Sequence, residues 1–197
     1  MKKYIRHLKK NDPILAAIIE RLGIIEISYR EPTFESLVRS IVYQQLSGKV
    51  ARVIYERLRV AAGGKIAPET ILALTENEMR SCGLSRQKLS YIRDLAERTI
   101  SGDVDFQQLP EMNDEDVIAH LTRVKGIGVW SAQMFLMFAL KRENVMPTGD
   151  LGIRTAIKKA YRKRKLPMPK DILKLARNWE PYCSLACYYL WRSLDNE

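Results

Sequence analysis

Apolar residues recur at intervals of three and four along nearly the whole chain, which is the spacing of an amphipathic helix. The first clear case follows Asp12-Pro13, a pair suited to a helix cap and first turn. Its apolar stripe runs from Ile14 to Leu22, and Gly23 ends it. Residues 24–29 are compatible with a short strand or an extended connection. No stretch alternates apolar and polar residues over several strands, so the pattern predicts an all-α fold.

Cap and turn residues divide the remaining chain into further helices of modest length. Together with the first helix they make roughly ten, and we expect the two chain ends to pack together as one lobe. The predicted segments are Thr33 to Val42, Ser47 to Ala62, Pro68 to Leu74, Glu76 to Cys82, Ser85 to Ile100, Asn113 or Asp114 to Val124, Val129 to Leu140, Asp150 to Tyr161, Pro169 to Asn178 and Pro181 to Leu194.

The charge balance favours a polyanionic partner. Lys and Arg total 33 against 23 Asp and Glu, a formal net charge of +10. An excess of this size attracts nucleic acid and releases counterions from its phosphates, although a basic protein without such a partner is an equal alternative. The densest basic run, Lys158 to Lys165, is most simply a solvated helix end.

The three cysteines point to a reducing compartment. Cys82, Cys183 and Cys187 are too few and too uneven for a disulfide framework, and without nearby His or further Cys they do not complete a tetrahedral metal site. We expect all three to be small buried residues. The longest apolar run, Met134 to Leu140, is too short to span a bilayer. These features predict a cytoplasmic protein, associated with the nucleoid if the source is prokaryotic.

Residues 121–132, LTRVKGIGVWSA, combine two helices with a glycine turn. Gly126 and Gly128 allow backbone conformations closed to other residues, and the turn leads into a helix N-terminus whose free N–H groups favour an anion. We predict that Lys125, Gly126, Gly128 and Ser131 bind the phosphate backbone of DNA. A plain helix connection with glycines as caps is the alternative.

Asp150 follows the hairpin in the Pro/Gly-rich loop MPTGD. Taken alone, an aspartate at the start of a helix is most simply an N-cap. A catalytic role for the carboxylate is the alternative. The local sequence leaves both interpretations open.

The chain resembles the helix-hairpin-helix DNA glycosylase superfamily, in its 3-methyladenine DNA glycosylase II branch. The likeness is carried by residues 121–154, by the stretch from Phe34 to Ser47 and by that from Trp179 to Trp191, and it covers about residues 12 to 192. It implies a single glycosylase domain over residues 1–197, built as a two-lobed helical core with a groove between lobes. It also implies that Asp150 is the catalytic carboxylate.

The resemblance extends to the base pocket and to the residue that fills the gap in the duplex. A target base must leave the helical stack before its bond to the sugar can be cut. Trp130 and Trp191 match the family's pocket aromatics, with core packing as the alternative for each, and indole faces attract a cationic alkylated base. Four further side chains could line the same space, and two could enter the duplex in place of the flipped base. These are Tyr43, Met134, Tyr188 and Tyr189 for the pocket, and Gln45 with Leu46 for the wedge.

Two differences between this chain and other branches of the superfamily limit the reaction that we expect. Relatives that also nick the strand carry a lysine where this chain has Trp130, so we predict a monofunctional enzyme that leaves an abasic site. Relatives with an iron–sulfur cluster carry four C-terminal cysteines, so we expect no cluster here. The resemblance requires no cofactor, suggests a monovalent cation at the hairpin carbonyls, and implies double-stranded DNA with a damaged base as partner of a monomer.

Two other functions fit part of the pattern. A glycosylase of the same fold could act on another damaged or mismatched base. A noncatalytic helix-hairpin-helix module would explain the hairpin and the charge, but it would leave Asp150 and the paired tryptophans without a role.

Overall fold

The computed structural model describes residues 2–195, and these form twelve α-helices, one short 3-10 helix and no strand. This confirms the all-α prediction. The helices are α1 Lys2–Asn11, α2 Pro13–Leu22, α3 Phe34–Tyr43, α4 Gly48–Ala61, α5 Pro68–Ala73, α6 Glu76–Ser81, α7 Arg86–Ile100, α8 Asp114–Leu121, α9 Val129–Phe138, α10 Leu151–Ala160, α11 Pro169–Ala176 and α12 Cys183–Arg192, with the 3-10 helix at Leu109–Glu111.

The chain divides into two compact units, and both chain ends belong to the first, which contains residues 2–29 and 141–195 of the described part. Its organising group is the buried carboxylate of Asp12, which caps α2 as the sequence predicted. Asp12 also accepts hydrogen bonds from the Tyr161 hydroxyl and, at 2.8 Å, from the Trp179 indole. One buried charge with this many donors ties the N-terminal helices to the C-terminal half of the unit.

The second unit comprises Arg30–Leu140 and is centred on α7. This helix packs against α3, α5 and α6 through an apolar face that includes Leu89, Ile92 and Leu95, all buried. Helices α8 and α9 pack against each other at the end of the unit. Both DNA-directed segments predicted from the sequence, the hairpin and the wedge, lie within this unit.

Several predicted helix starts are confirmed by side-chain caps, while some boundaries were wrong. Thr33, Ser47, Ser85 and Asn113 each accept a hydrogen bond from the first turn of their helix. The predicted helix ending at Val124 stops at α8's Leu121, because the chain turns into the hairpin there.

Helix α1 was not predicted, and with it the described residues form twelve α-helices. Its polar sequence carries few apolar positions, but Leu8 is fully buried and the helix packs against α2. The three cysteines are buried, as predicted. Within residues 2–195, no helix combines the length and apolarity needed to cross a membrane.

Candidate active site

The hairpin turn depends on glycine at one position. Gly126 has φ +78°, and a Cβ atom there would lie 2.0 Å from the ring of Tyr91. Both the backbone conformation and the tyrosine exclude a side chain. The sequence-based reason for this glycine is therefore correct, and Tyr91 adds a second reason that the sequence did not reveal.

Gly128 is different, and the prediction that its backbone conformation requires glycine was wrong. Its φ of −92° and ψ of 175° are open to any residue, and apart from its chain neighbours no heavy atom of the described residues lies within 4 Å of a Cβ placed there. Gly128 begins α9, and no side chain of the described residues caps that helix end. The first N–H groups of α9 are therefore without a side-chain cap from the described residues.

The hairpin is anchored to α7 by a carboxylate. Asp94 accepts a hydrogen bond from the Lys125 backbone N–H at 2.9 Å and one from Arg98 at 3.0 Å. Burial, the largest single influence, would raise the pKa of Asp94, but the two hydrogen bonds and the positive charges of Arg98 and Lys125 together lower that pKa below its ordinary value. The Lys125 ammonium lies 3.5 Å from the same carboxylate, and its side chain is largely exposed. A positive charge therefore stands beside the turn.

The loop after α3 presents the predicted wedge residues to solvent. Gln45 has φ +56°, a left-handed conformation that is unusual for a residue with a side chain, and both it and Leu46 are exposed. The Lys88 ammonium donates to the carbonyls of Val42 and Gln44 at 2.6 and 2.7 Å. The Gln44 amide donates to the Gly126 carbonyl at 3.0 Å, so this loop is joined directly to the hairpin.

A cavity of about 1020 Å³ opens in the second unit, large enough for a purine nucleotide. Trp130, Tyr43 and Met134 all contribute to its wall, and Trp130 is 48% exposed rather than buried in the core. The Arg39 guanidinium lies 4.3 Å from the Tyr43 ring centroid. The remaining lining includes the wedge residues Gln45 and Leu46 and the hairpin residues Gly126 and Ser131.

The first unit carries Asp150, which caps α10 and is 8% exposed. Its Oδ1 atom accepts hydrogen bonds from the Ile153 N–H at 2.7 Å and from the Trp191 indole at 2.9 Å. Gly152 leaves room for the second bond, because a Cβ there would lie 3.0 Å from Trp191 Cδ1 and 3.1 Å from Asp150 Oδ1 and would push on both groups. Two donors from different helices thus fix the carboxylate.

The remaining aromatic candidates have other surroundings. Tyr189 is fully buried and donates to the Gly23 carbonyl at 3.0 Å, so its proposed pocket role was wrong. Tyr188 is also buried. It borders a smaller cavity of the first unit and lies 6.0 Å from the Trp191 ring between centroids. The basic residues from Arg162 to Lys165 are exposed, as expected of a solvated helix end.

Comparison with known proteins agrees with these features. Residues 38–181 match the HhH-GPD superfamily of base excision DNA repair proteins, and the match covers most of the chain. The chain belongs to this superfamily. DNA-3-methyladenine glycosylase 1 of Schizosaccharomyces pombe is 36% identical over 167 residues, which are 83% of this chain and 73% of that protein.

Two solved structures of such proteins share the fold. The S. pombe 3-methyladenine DNA glycosylase Mag1, in complex with abasic DNA, superimposes with a TM-score of 0.86 at 32% identity, covering 98% of this chain and 97% of that one. The DNA-3-methyladenine glycosidase of Bacillus halodurans gives a TM-score of 0.88 at 36% identity, covering 98% and 89%.

This HhH-GPD protein contains supporting residues that sequence reasoning missed. Lys88, Tyr91 and Asp94 all contact the hairpin or the wedge loop, and Gly152 admits Trp191 to the carboxylate. Polar residues on a helix surface give no signal of such contacts in sequence. Within residues 2–195, no group of three or more His, Cys, Asp or Glu is arranged to hold a metal ion.

Proposed function

We propose that this protein is a monofunctional DNA glycosylase that removes alkylated purines, of the 3-methyladenine and 7-methylguanine type, from duplex DNA in base excision repair. The observation that carries the proposal is the carboxylate of Asp150, held by the Trp191 indole at the start of α10 in a chain of the HhH-GPD superfamily. Relatives named 3-methyladenine glycosylases support this choice of substrate.

The chemistry requires a fixed negative charge. The bond between the sugar C1′ and the purine nitrogen breaks, its electron pair leaves with the base, and positive charge develops on the sugar. Alkylation makes the base cationic, so it departs neutral. The Asp150 carboxylate stabilises the sugar cation and orients the attacking water, whose proton is lost as the new C–O bond forms. Trp191 and the Ile153 N–H hold Oδ1 in place for this step.

Base release from duplex DNA also needs a grip on the backbone and a pocket. No side chain of the described residues caps α9 at Gly128, which suits a DNA phosphate, and Lys125 and Ser131 complete that binding site with Gly126. Gln45 and Leu46 enter the duplex in place of the extruded base. Trp130, with Tyr43 and Met134, receives the base. The family resemblance assigns Trp191 to the base as well.

The residue at the lyase position sets the product. Trp130 has no amine to attack the sugar, so hydrolysis leaves an abasic site and an intact strand. The protein acts as a monomer in the compartment that holds the DNA. A monovalent cation at the hairpin would be coordinated by backbone carbonyls such as that of Gly126, which already accepts the Gln44 amide but keeps a second lone pair.

The decisive assay measures free bases released from methylated duplex DNA by wild type and by Asp150→Asn. Wild type should release 3-methyladenine or 7-methylguanine and leave strands unbroken until alkali is added, while Asp150→Asn should bind the same DNA without release. If wild type binds but releases neither base, the alkylation assignment is wrong. Deaminated, oxidised and mismatched substrates would then distinguish another glycosylase from a binding module.

A further inference from the structure

One side of α7 contacts both DNA-directed segments of the second unit. Lys88, Tyr91 and Asp94 are spaced three residues apart and so follow one another along the same side of the helix. Each contacts a different point of the wedge loop, residues 44–47, or of the hairpin turn. This arrangement goes beyond packing, because the contacts reach backbone atoms at the two turns themselves.

Lys88 fixes the start of the wedge loop. Its ammonium donates to the carbonyls of Val42 and Gln44, where α3 ends, so it satisfies acceptors that the helix leaves without a partner. Burial lowers the pKa of Lys88. Gln45 directly follows Gln44 in the chain, and its backbone has a left-handed conformation at the exposed part of the wedge loop.

Tyr91 and Asp94 fix the hairpin. The Tyr91 ring packs against Gly126 so closely that no side chain fits there, and its hydroxyl accepts a hydrogen bond from Gln87 at 2.6 Å. Asp94 accepts the Lys125 N–H at 2.9 Å. The turn is therefore set by α7 at two consecutive residues.

We infer that this side of α7 acts as a template that fixes the distance and orientation between the wedge loop and the hairpin. Lys88 is in this view a positioning residue for base extrusion. The inference rests on the proposed function, in which the hairpin holds a phosphate while the wedge enters the duplex. A wedge can displace a base only if it is rigidly fixed to the element that grips the backbone, and the Gln44 contact with Gly126 shows the two segments to be joined.

The test compares Lys88→Met with Lys65→Met, which removes the same charge from an exposed residue beyond the far end of α4. Helix α4 has 14 residues, so that control lies roughly 20 Å from the wedge loop. Single-turnover excision of 7-methylguanine is measured from duplex and from single-stranded DNA of one sequence. Lys88→Met should lose about tenfold on the duplex and less than about twofold on the single strand, which needs no wedge. Lys65→Met should match wild type on both.

A double-mutant cycle makes the assignment specific. In a background of Gln45→Ala with Leu46→Ala, where the wedge is already absent, Lys88→Met should cause no further loss on the duplex. Equal losses on both substrates, accompanied by a lower Tm, would reduce Lys88 to a stability role and overturn the inference. So would a loss that adds fully to that of the wedge variant.

A fluorescence measurement tests this inference independently of the proposed enzymatic activity. If wild type excises nothing, 2-aminopurine placed opposite an abasic-site analogue still reports unstacking of the duplex on binding. Lys88→Met should then reduce that fluorescence at saturating protein, whereas Lys65→Met should not. An unchanged signal in Lys88→Met would overturn the template even with the enzymatic assignment already rejected.

Discussion

Helices α9 and α10 both begin after a glycine-containing turn, but their N-termini are completed in opposite ways. Helix α9 begins after Gly128, with no capping side chain from the described residues and with open space in front of its first turn. Helix α10 begins after Asp150, whose buried carboxylate accepts the Ile153 N–H and the Trp191 indole. Among the described residues, no carboxylate caps the start of α9, whereas Asp150 caps the start of α10.

The difference shows how one electrostatic property can support two functions. A helix N-terminus carries partial positive charge and unsatisfied N–H groups, so an anion is favoured at both ends. Where the protein leaves the place open, a DNA phosphate can supply that anion. Where the protein fills it with a carboxylate, the charge is fixed in advance and can serve a reacting sugar cation.

The largest effect is expected at Asp150. Asp150→Ala removes both the cap of α10 and the carboxylate that we propose to be catalytic, so excision should fall about a thousandfold. The free energy of unfolding should fall by about 1 kcal/mol. Asp150→Asn should lose as much excision but little stability, since asparagine caps helices well. Single-turnover excision and chemical denaturation measure the two quantities. If Asp150→Asn retained excision within about tenfold of wild type, Asp150 would be only a cap.

The next largest effect is a difference in the free energy of unfolding between variants of the two hairpin glycines, Gly126 and Gly128. Gly126→Ala should lower the free energy of unfolding by about 3 kcal/mol, because its backbone is left-handed and Tyr91 fills the space. Gly128→Ala should change it by less than about 0.5 kcal/mol, since neither obstacle exists there.

The affinity of Gly128→Ala for duplex DNA tests whether the start of α9 binds a phosphate. Gly128→Ala should still weaken binding to duplex DNA about tenfold, because the methyl group occupies the space through which a phosphate approaches. Fluorescence anisotropy at fixed salt measures the affinity, and circular dichroism confirms that the variant is folded. Wild-type affinity in Gly128→Ala would show that the open end of α9 is not a phosphate site.

A smaller effect is expected at Trp191, which donates a hydrogen bond to the Asp150 carboxylate. Trp191→Phe keeps an aromatic ring but removes the indole N–H, so we expect excision to fall about fivefold. If Trp191 acts by positioning Asp150, the loss should be equal for a cationic base, such as 7-methylguanine, and for an uncharged damaged base. A loss confined to the cationic base would assign Trp191 to stacking alone.

Gly152→Ala provides an independent comparison for Trp191. The added methyl group would contact both the indole and the Asp150 carboxylate, so it should displace the ring without altering its chemistry. A loss of about threefold, again equal on both bases, is expected. Full activity in this variant would show that excision tolerates a displaced Trp191.

Local sequence determined the fold class, most helix starts and the place of the carboxylate. Caps such as Thr33, Ser85 and Asp150 bind backbone groups within three residues, so their sequence context is enough to locate them. The resemblance to helix-hairpin-helix glycosylases supplied the functional meaning of Asp150, which an aspartate at a helix start does not have by itself. The groove expected between lobes stays a prediction, as do the roles assigned to the site residues.

Tertiary structure decided the features that depend on residues far apart in the chain. Trp191 reaches Asp150 across 41 positions and Lys88 reaches Val42 across 46, and no local pattern specifies such pairs. Helix α1 forms against α2 despite its polar sequence, because tertiary packing outweighs a weak apolar pattern. Likewise, only the structure shows that the backbone conformation of Gly128 is one that any residue can adopt. Helix caps form within a single turn, whereas the geometry of a site is set by how separate helices pack.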